Sequence, residues 1–174
     1  GASYAFVFHY MPIGRSFTLD LMMTPEQRLR LFERVWWLVR HRHVFIADFW
    51  NSATATNGCL AAGRAGGYFH VNWNGDVSPC VFFPYSPVNV REVFARGGTL
   101  DEVWAHPFFA DIRRWQREYG YRETNEPCPD CGNWIAPCII RDHHADALEL
   151  VRRHQPTPTD EDARAAPADP DYHA

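Results

Sequence analysis

Lysine is missing altogether: all 17 basic residues of this 174-residue chain are arginine, which reflects coding bias before function and carries no inference. Positive charge is also scarce, since 21 acidic residues leave a formal net charge of -4. A protein that tracks a phosphate backbone needs a clustered basic surface, so nucleic acid is excluded as a default partner. No apolar run approaches the roughly 18 residues of a membrane-spanning helix. The N-terminus likewise has none of the basic, apolar and small-residue sections of a secretion signal. The expectation is a soluble, cytoplasmic protein with no membrane partner. An initiating methionine is absent too; Gly1-Ala2-Ser3 passes almost at once into the apolar run Tyr4-Ala5-Phe6-Val7-Phe8, so the start is expected to be the interior of a longer chain.

What is present is apolar mass: 46% hydrophobic and 15% aromatic residues suffice for one compact domain or two small ones. Residues 4–10 read as a buried strand ending at Met11-Pro12-Ile13-Gly14. Thr24-Pro25-Glu26-Gln27 then supplies a capping box with proline at the first helical position. Leu29, Phe32, Trp36 and Val39 share a helical face that Leu31, Val35 and Leu38 widen, which predicts a helix buried on more than one side. Val44-Phe45-Ile46-Ala47-Asp48-Phe49-Trp50 is a second strand. Strand, helix, strand predicts a right-handed crossover between parallel strands. Parallel sheets have both faces covered, so this unit is expected to need further strands, upstream or in a partner.

Further on, Tyr68–Trp73 and Asp76–Phe82 flank Asn74-Gly75, which predicts a hairpin with a type I′ turn. Thr99-Leu100-Asp101-Glu102 is a second capping box, opening a short helix that Pro107 interrupts. Phe108, Ile112, Trp115 and Tyr119 continue an apolar face beyond it, and Arg113, Arg114 and Arg117 read as a solvated one. A last helix is expected over 139–154, burying Ala147, Leu148 and Val151. Residues 155–174 are Pro, Asp, Ala and Thr-rich, too poor in apolar content to offset chain entropy, and are read as a disordered tail. The seven tryptophans are expected mostly in the core.

Five cysteines, Cys59, Cys80, Cys128, Cys131 and Cys138, sit in a chain without secretory features, where metal is a better reading than disulfides. Cys128-Pro129-Asp130-Cys131 lets two sulfurs face one centre, and Cys59 and Cys80 can complete a four-thiolate site for an iron–sulfur cluster or for zinc. Cys59 and Cys80 lack the short knuckle spacing that zinc ribbons show on both sides. Asp142-His143-His144 with Asp146 has metal-ligand types, but adjacent histidines point to different helix faces.

Fifteen residues from Cys59 to Gly75, four more to Cys80, then a long gap to Cys128-x-x-Cys131: this run resembles the auxiliary-cluster domains called SPASM and twitch. These follow the barrel in many radical S-adenosylmethionine enzymes. Asn74-Gly75-Asp76-Val77-Ser78-Pro79-Cys80 resembles their hairpin, and Leu100-Asp101-Glu102-Val103-Trp104 their helix before the last cysteines.

The resemblance implies an α+β chain in three parts: 1–56 the last strand–helix–strand of a partial βα barrel, 57–154 a hairpin and helices around a cysteine-ligated cluster, and 155–174 the tail. It implies one auxiliary [4Fe–4S] cluster on Cys59, Cys80, Cys128 and Cys131, used for electron relay or substrate anchoring. Cys138 either replaces one of the last two or is a spare thiol. The full SPASM pattern holds two clusters on seven cysteines; here six residues separate Cys131 from Cys138 and position 142 is Asp, so a second cluster lacks its thiolates. At the C-terminal ends of the barrel strands, His9, Tyr10, Arg15, Asp48 and Asn51 become candidates to touch S-adenosylmethionine or substrate, or merely to hydrogen-bond at the rim.

The C-x-x-x-C-x-x-C loop of the family is absent, so S-adenosylmethionine would bind only with an upstream core segment or companion chain, and the chain alone is expected to be incompetent. No catalytic residue is assigned. A reductase or ferredoxin-type electron donor and a peptide or small-molecule substrate complete the implied partners. A zinc-binding interaction module and a small electron-transfer protein are the alternatives.

Overall fold

The computed structural model describes residues 2–13, 18–48, 59–119, 136, 138–165 and 168. They divide into two compact units, one of residues 1–59 with 119–138 and one of residues 60–118 with 139–174. Helices and strands mix as an α+β chain.

The first unit contains β1 (Tyr4–Val7), α1 (Pro25–Arg42) and β2 (Phe45–Asp48). As the crossover pattern predicts, β1 and β2 are parallel, in register from Tyr4 opposite Phe45 to Val7 opposite Asp48. The capping box forms: the Gln27 N–H donates to Thr24 Oγ1 at 3.3 Å and the Thr24 N–H donates to Gln27 Oε1 at 2.8 Å. At its other end α1 stops on His43, whose left-handed backbone (φ 50°) turns the chain toward β2.

Burial differs from expectation. Tyr4, Phe6 and Phe8 are 63%, 54% and 66% exposed, and Val35 is the one residue of α1 that is fully buried. Strand side chains alternate between faces. Tyr4, Phe6 and Phe45 therefore share the open face, while Ile46 is buried on the other. A two-stranded sheet under one helix covers only one of its faces.

In the second unit β3 (His70–Val71), β4 (Asp76–Ser78) and β6 (Val88–Asn89) form an antiparallel sheet in the order β3-β4-β6. Around it lie α2 (Val90–Ala95), α3 (Leu100–Ala105), α4 (Pro107–Tyr119) and α5 (His144–His154). Val77, Val93, Val103, Phe108 and Ile112 are fully buried and make its core, extended by Phe83, Phe109, Leu148 and Leu150.

Three expectations need correction here. Thr99 caps α3 by accepting from the Asp101 N–H, but Glu102 turns away to pair with Arg96 at 2.6 Å. The last helix begins at His144, since 139–142 form turns, and its buried residues are Ala147, Leu148 and Leu150.

Thirdly, part of the segment read as a disordered tail is structured. β5 (Tyr85–Ser86) pairs antiparallel with β7 (Thr157–Pro158), and α6 (Glu161–Ala165) follows. The Tyr85 hydroxyl donates to the Ala163 carbonyl at 2.7 Å, and Ala163 is buried. Strand pairing and one long-range hydrogen bond supply what local composition lacks. The tryptophans are also less uniformly internal than expected: Trp73 is 84% exposed, with Trp37 and Trp104 at 39% and 37%.

Candidate functional site

Cys80 lies just beyond a hairpin whose turn is stiffened by amides. The Gly75 N–H donates to the Asn72 carbonyl at 2.9 Å, so Trp73 and Asn74 are the central residues and Gly75, at φ 93°, follows them. This is a three-residue loop with glycine in the left-handed position, not the two-residue type I′ turn read from Asn-Gly. Asn72 Oδ1 accepts from the N–H groups of Asn74 and Asp76, both at 2.9 Å. The Asp76 carboxylate in turn accepts from the Asn72 and Asn89 amides at 3.0 and 2.9 Å. A β-carbon on Gly75 would stand 2.9 Å from Asn89 Oδ1 and displace that amide, in addition to straining the positive φ.

Past β4 the chain turns at Pro79 and Cys80. The Cys80 carbonyl accepts from Ser78 Oγ at 3.0 Å and from the Phe83 N–H at 3.1 Å, and Phe83 is buried in the core. Cys80, 8% exposed, is thereby fixed on a closed turn.

The segment directly after Cys59 is tied to that turn. Leu60–Gly67 is a left-handed loop, with positive φ at Ala62, Gly63, Ala65 and Gly66. The Ala62 N–H donates to the Pro79 carbonyl at 2.9 Å, the Gly63 N–H to the Tyr68 carbonyl at 3.0 Å, and the Tyr68 N–H to the Leu60 carbonyl at 3.3 Å. A β-carbon on Gly63 would meet the Trp104 ring at 2.3 Å.

From α4, Arg113 donates to the Ala62 carbonyl at 2.7 Å and to the Trp104 carbonyl at 2.8 Å, and fully buried Gln116 donates to the Ala61 carbonyl at 3.1 Å. Arg113 is thus not part of a solvated face. Burial, and secondarily the charge of Arg117, draw its guanidinium below its ordinary value, and it stays cationic. Helical periodicity put Arg113 among exposed arginines because nothing local signals carbonyls that wait fifty residues upstream.

Of the other sequence-derived candidates, Cys59 is half-buried and Cys138 is 5% exposed beside buried Ile139. Cys128, Cys131, Arg15 and Asn51 lie outside the described residues. Among the described residues no three His, Cys, Asp or Glu side chains come together as a metal cage. His9 is buried, and the Tyr10 hydroxyl accepts from the Thr18 N–H at 3.1 Å. The parallel register sets Asp48 beside Val7, so the chain leaving β1 toward His9 starts at the same sheet edge as Asp48.

The Asp142–Asp146 cluster is occupied by structural contacts. Asp142 pairs with Arg141 at 3.0 Å, Asp146 accepts from the Trp115 indole at 2.8 Å, and the His143 ring lies 5.1 Å from that of Trp115.

Residues 59–132 match the family SPASM, described as an iron–sulfur cluster-binding domain. The matched segment begins on Cys59, takes in Cys80, Cys128 and Cys131, and ends before Cys138. No curated protein and no solved structure matched the chain. The match covers less than half of the chain and makes 59–132 similar to an iron–sulfur cluster-binding domain, within an α+β chain. Among the described residues no helix is long and apolar enough to cross a membrane.

Proposed function

We propose that this chain is the C-terminal portion of a radical S-adenosylmethionine enzyme and holds one auxiliary [4Fe–4S] cluster on Cys59, Cys80, Cys128 and Cys131. The observation that carries the reading is the match of 59–132 to an iron–sulfur cluster-binding domain, bounded so that it contains those four cysteines. The donor chemistry fits, because thiolates are the usual ligands of such clusters. Cys80 is buried, and burying a thiolate needs a cation to offset its desolvation. Bound there, the cluster supplies a one-electron relay or an anchoring iron for substrate, with a potential set by neighbouring hydrogen bonds and exposure.

Residues 1–56 are assigned to the end of a βα barrel and 57–154 to the cluster domain. Support for the first comes from the parallel β1–α1–β2 unit and from its open aromatic face, which an enclosing barrel would cover. Radical chemistry is assigned to a core segment or companion chain bearing C-x-x-x-C-x-x-C, which alone would bring S-adenosylmethionine. His9, Tyr10, Arg15, Asp48 and Asn51 would then line the shared strand edge. A ferredoxin-type or reductase donor and a peptide or small-molecule substrate complete the scheme, in a cytoplasm that keeps thiols reduced.

Anaerobic reconstitution of the full chain, followed by iron, sulfide and zinc analysis, tests the cluster. The expected product is brown, with about four irons and about four sulfides per chain. Colourless protein with one zinc overturns the reading in favour of a structural zinc module.

A further inference from the structure

The loop after Cys59 is restrained from two sides within the second unit. Its Ala62 N–H is held by Pro79, the residue before Cys80, while the carbonyls of Ala61 and Ala62 are both drawn to α4 by Gln116 and Arg113. Two neighbouring peptides pulled the same way, with φ of 57° at Ala62 and 80° at Gly63, form an arrangement that an unrestrained loop would leave. Arg113 has a further anchor in the Trp104 carbonyl, and its guanidinium lies 5.5 Å from the Trp104 ring centroid, the ring that packs on Gly63. One side chain therefore fixes the loop, the ring beneath it and the end of α3 together.

We propose that Arg113 and Gln116 are positioning residues for the cluster, holding the chain that leaves Cys59 against the turn that carries Cys80. This rests on the assignment of Cys59 and Cys80 as cluster ligands. Arg113 and Gln116 bond to the carbonyls of Ala62 and Ala61, three and two residues past Cys59, and so act on that ligand through the loop. Loss of a partner bonded directly to a metal ligand costs on the order of tenfold to a hundredfold in affinity, which bounds their effect from above. Arg113 adds a fixed positive charge, which favours the reduced cluster with its extra electron.

The test compares reconstituted full-length wild type, Arg113→Gln, Arg113→Lys, Gln116→Leu and Arg114→Gln. The readouts are iron and sulfide content, the electron paramagnetic resonance spectrum of the reduced cluster, its midpoint potential, and the rate of iron loss to a chelator. Expected for Arg113→Gln is a broadened, shifted spectrum, a more negative potential and iron loss faster by several-fold, up to about tenfold.

Arg113→Lys is expected to keep the potential close to that of wild type while still losing iron faster, since it retains the charge without the two-pronged donor. Gln116→Leu should speed iron loss alone. Arg114→Gln, on the exposed side of α4 where it pairs with Asp111, should match wild type throughout.

Loaded wild type with an Arg113→Gln variant identical in spectrum, potential and iron loss overturns the positioning role and leaves the cluster assignment standing. Wild type that binds no iron overturns both. If Arg113→Gln fails to fold by circular dichroism, Arg113→Lys decides on the same readouts, and its equality with wild type overturns the proposal.

Discussion

Gly63 and Gly66 lie three positions apart in one loop, both with positive φ (80° and 72°), yet they face different surroundings. At Gly63 a methyl group would collide with the Trp104 ring, and at Gly66 it would meet nothing within 4 Å. Gly66→Ala should therefore cost about 1 kcal/mol, the backbone penalty alone. Gly63→Ala should cost about 3 kcal/mol or more by adding overpacking to it. Urea unfolding of the two variants, read as midpoints at constant slope, checks the difference. Among the cysteines the equivalent contrast is chemical. Cys80→Ser is expected to abolish cluster assembly, because it removes a proposed ligand, whereas Cys138→Ser should reconstitute with the wild-type iron content, since Cys138 falls outside the matched segment. Iron and sulfide analysis of the reconstituted variants separates the two, and loss of iron in Cys138→Ser would make it a ligand in place of Cys128 or Cys131.

At the scale of elements, the junction between α3 and α4 depends on protonation. The Phe108 N–H donates to Nδ1 of His106 at 3.2 Å, an acceptor that exists only on the neutral ring. Burial, and then the nearby His154, hold His106 below its ordinary value of 6.5 and keep that acceptor available near neutral pH. Because the folded-state value is lowered, the unfolded chain takes up the proton first on acidification. The contribution of the cap is present above pH 6.5 and is lost as pH falls through the lowered folded value. Thermal melts from pH 8 to 5 should show this loss in wild type and a shallower one in His106→Asn, whose side chain caps without titrating at these pH values. A wild-type curve parallel to the variant's would remove His106 from the acid response. Other element ends were legible in the sequence: the Thr24–Gln27 box forms because its partners are three residues apart and need no tertiary help. The Thr99 box was only half legible, since Glu102 finds Arg96 instead of the backbone.

For the whole molecule, residues 157–165 are a structural part of the second unit. β7 pairs with β5 and Ala163 accepts the Tyr85 hydroxyl, so truncation after His154 should expose buried Tyr85 and Ser86 and leave that hydroxyl to water. Truncation is expected to lower the melting temperature by about 5 °C or more, on the basis of one lost strand pair and one buried hydrogen bond. A truncated chain melting with wild type would return the segment to the status of a tail. The sequence by itself determined the strand–helix–strand order, the α1 cap and the hairpin before Cys80, because each depends on residues a few positions apart. Only the tertiary structure decided that Arg113, half-buried, bends back to hold Ala62, that Trp73 stands in water, that the turn is a three-residue loop and that Tyr85 recruits Ala163. Those outcomes depend on partners distant in the chain or on how neighbouring groups share hydrogen bonds, and local pattern does not encode which partner prevails.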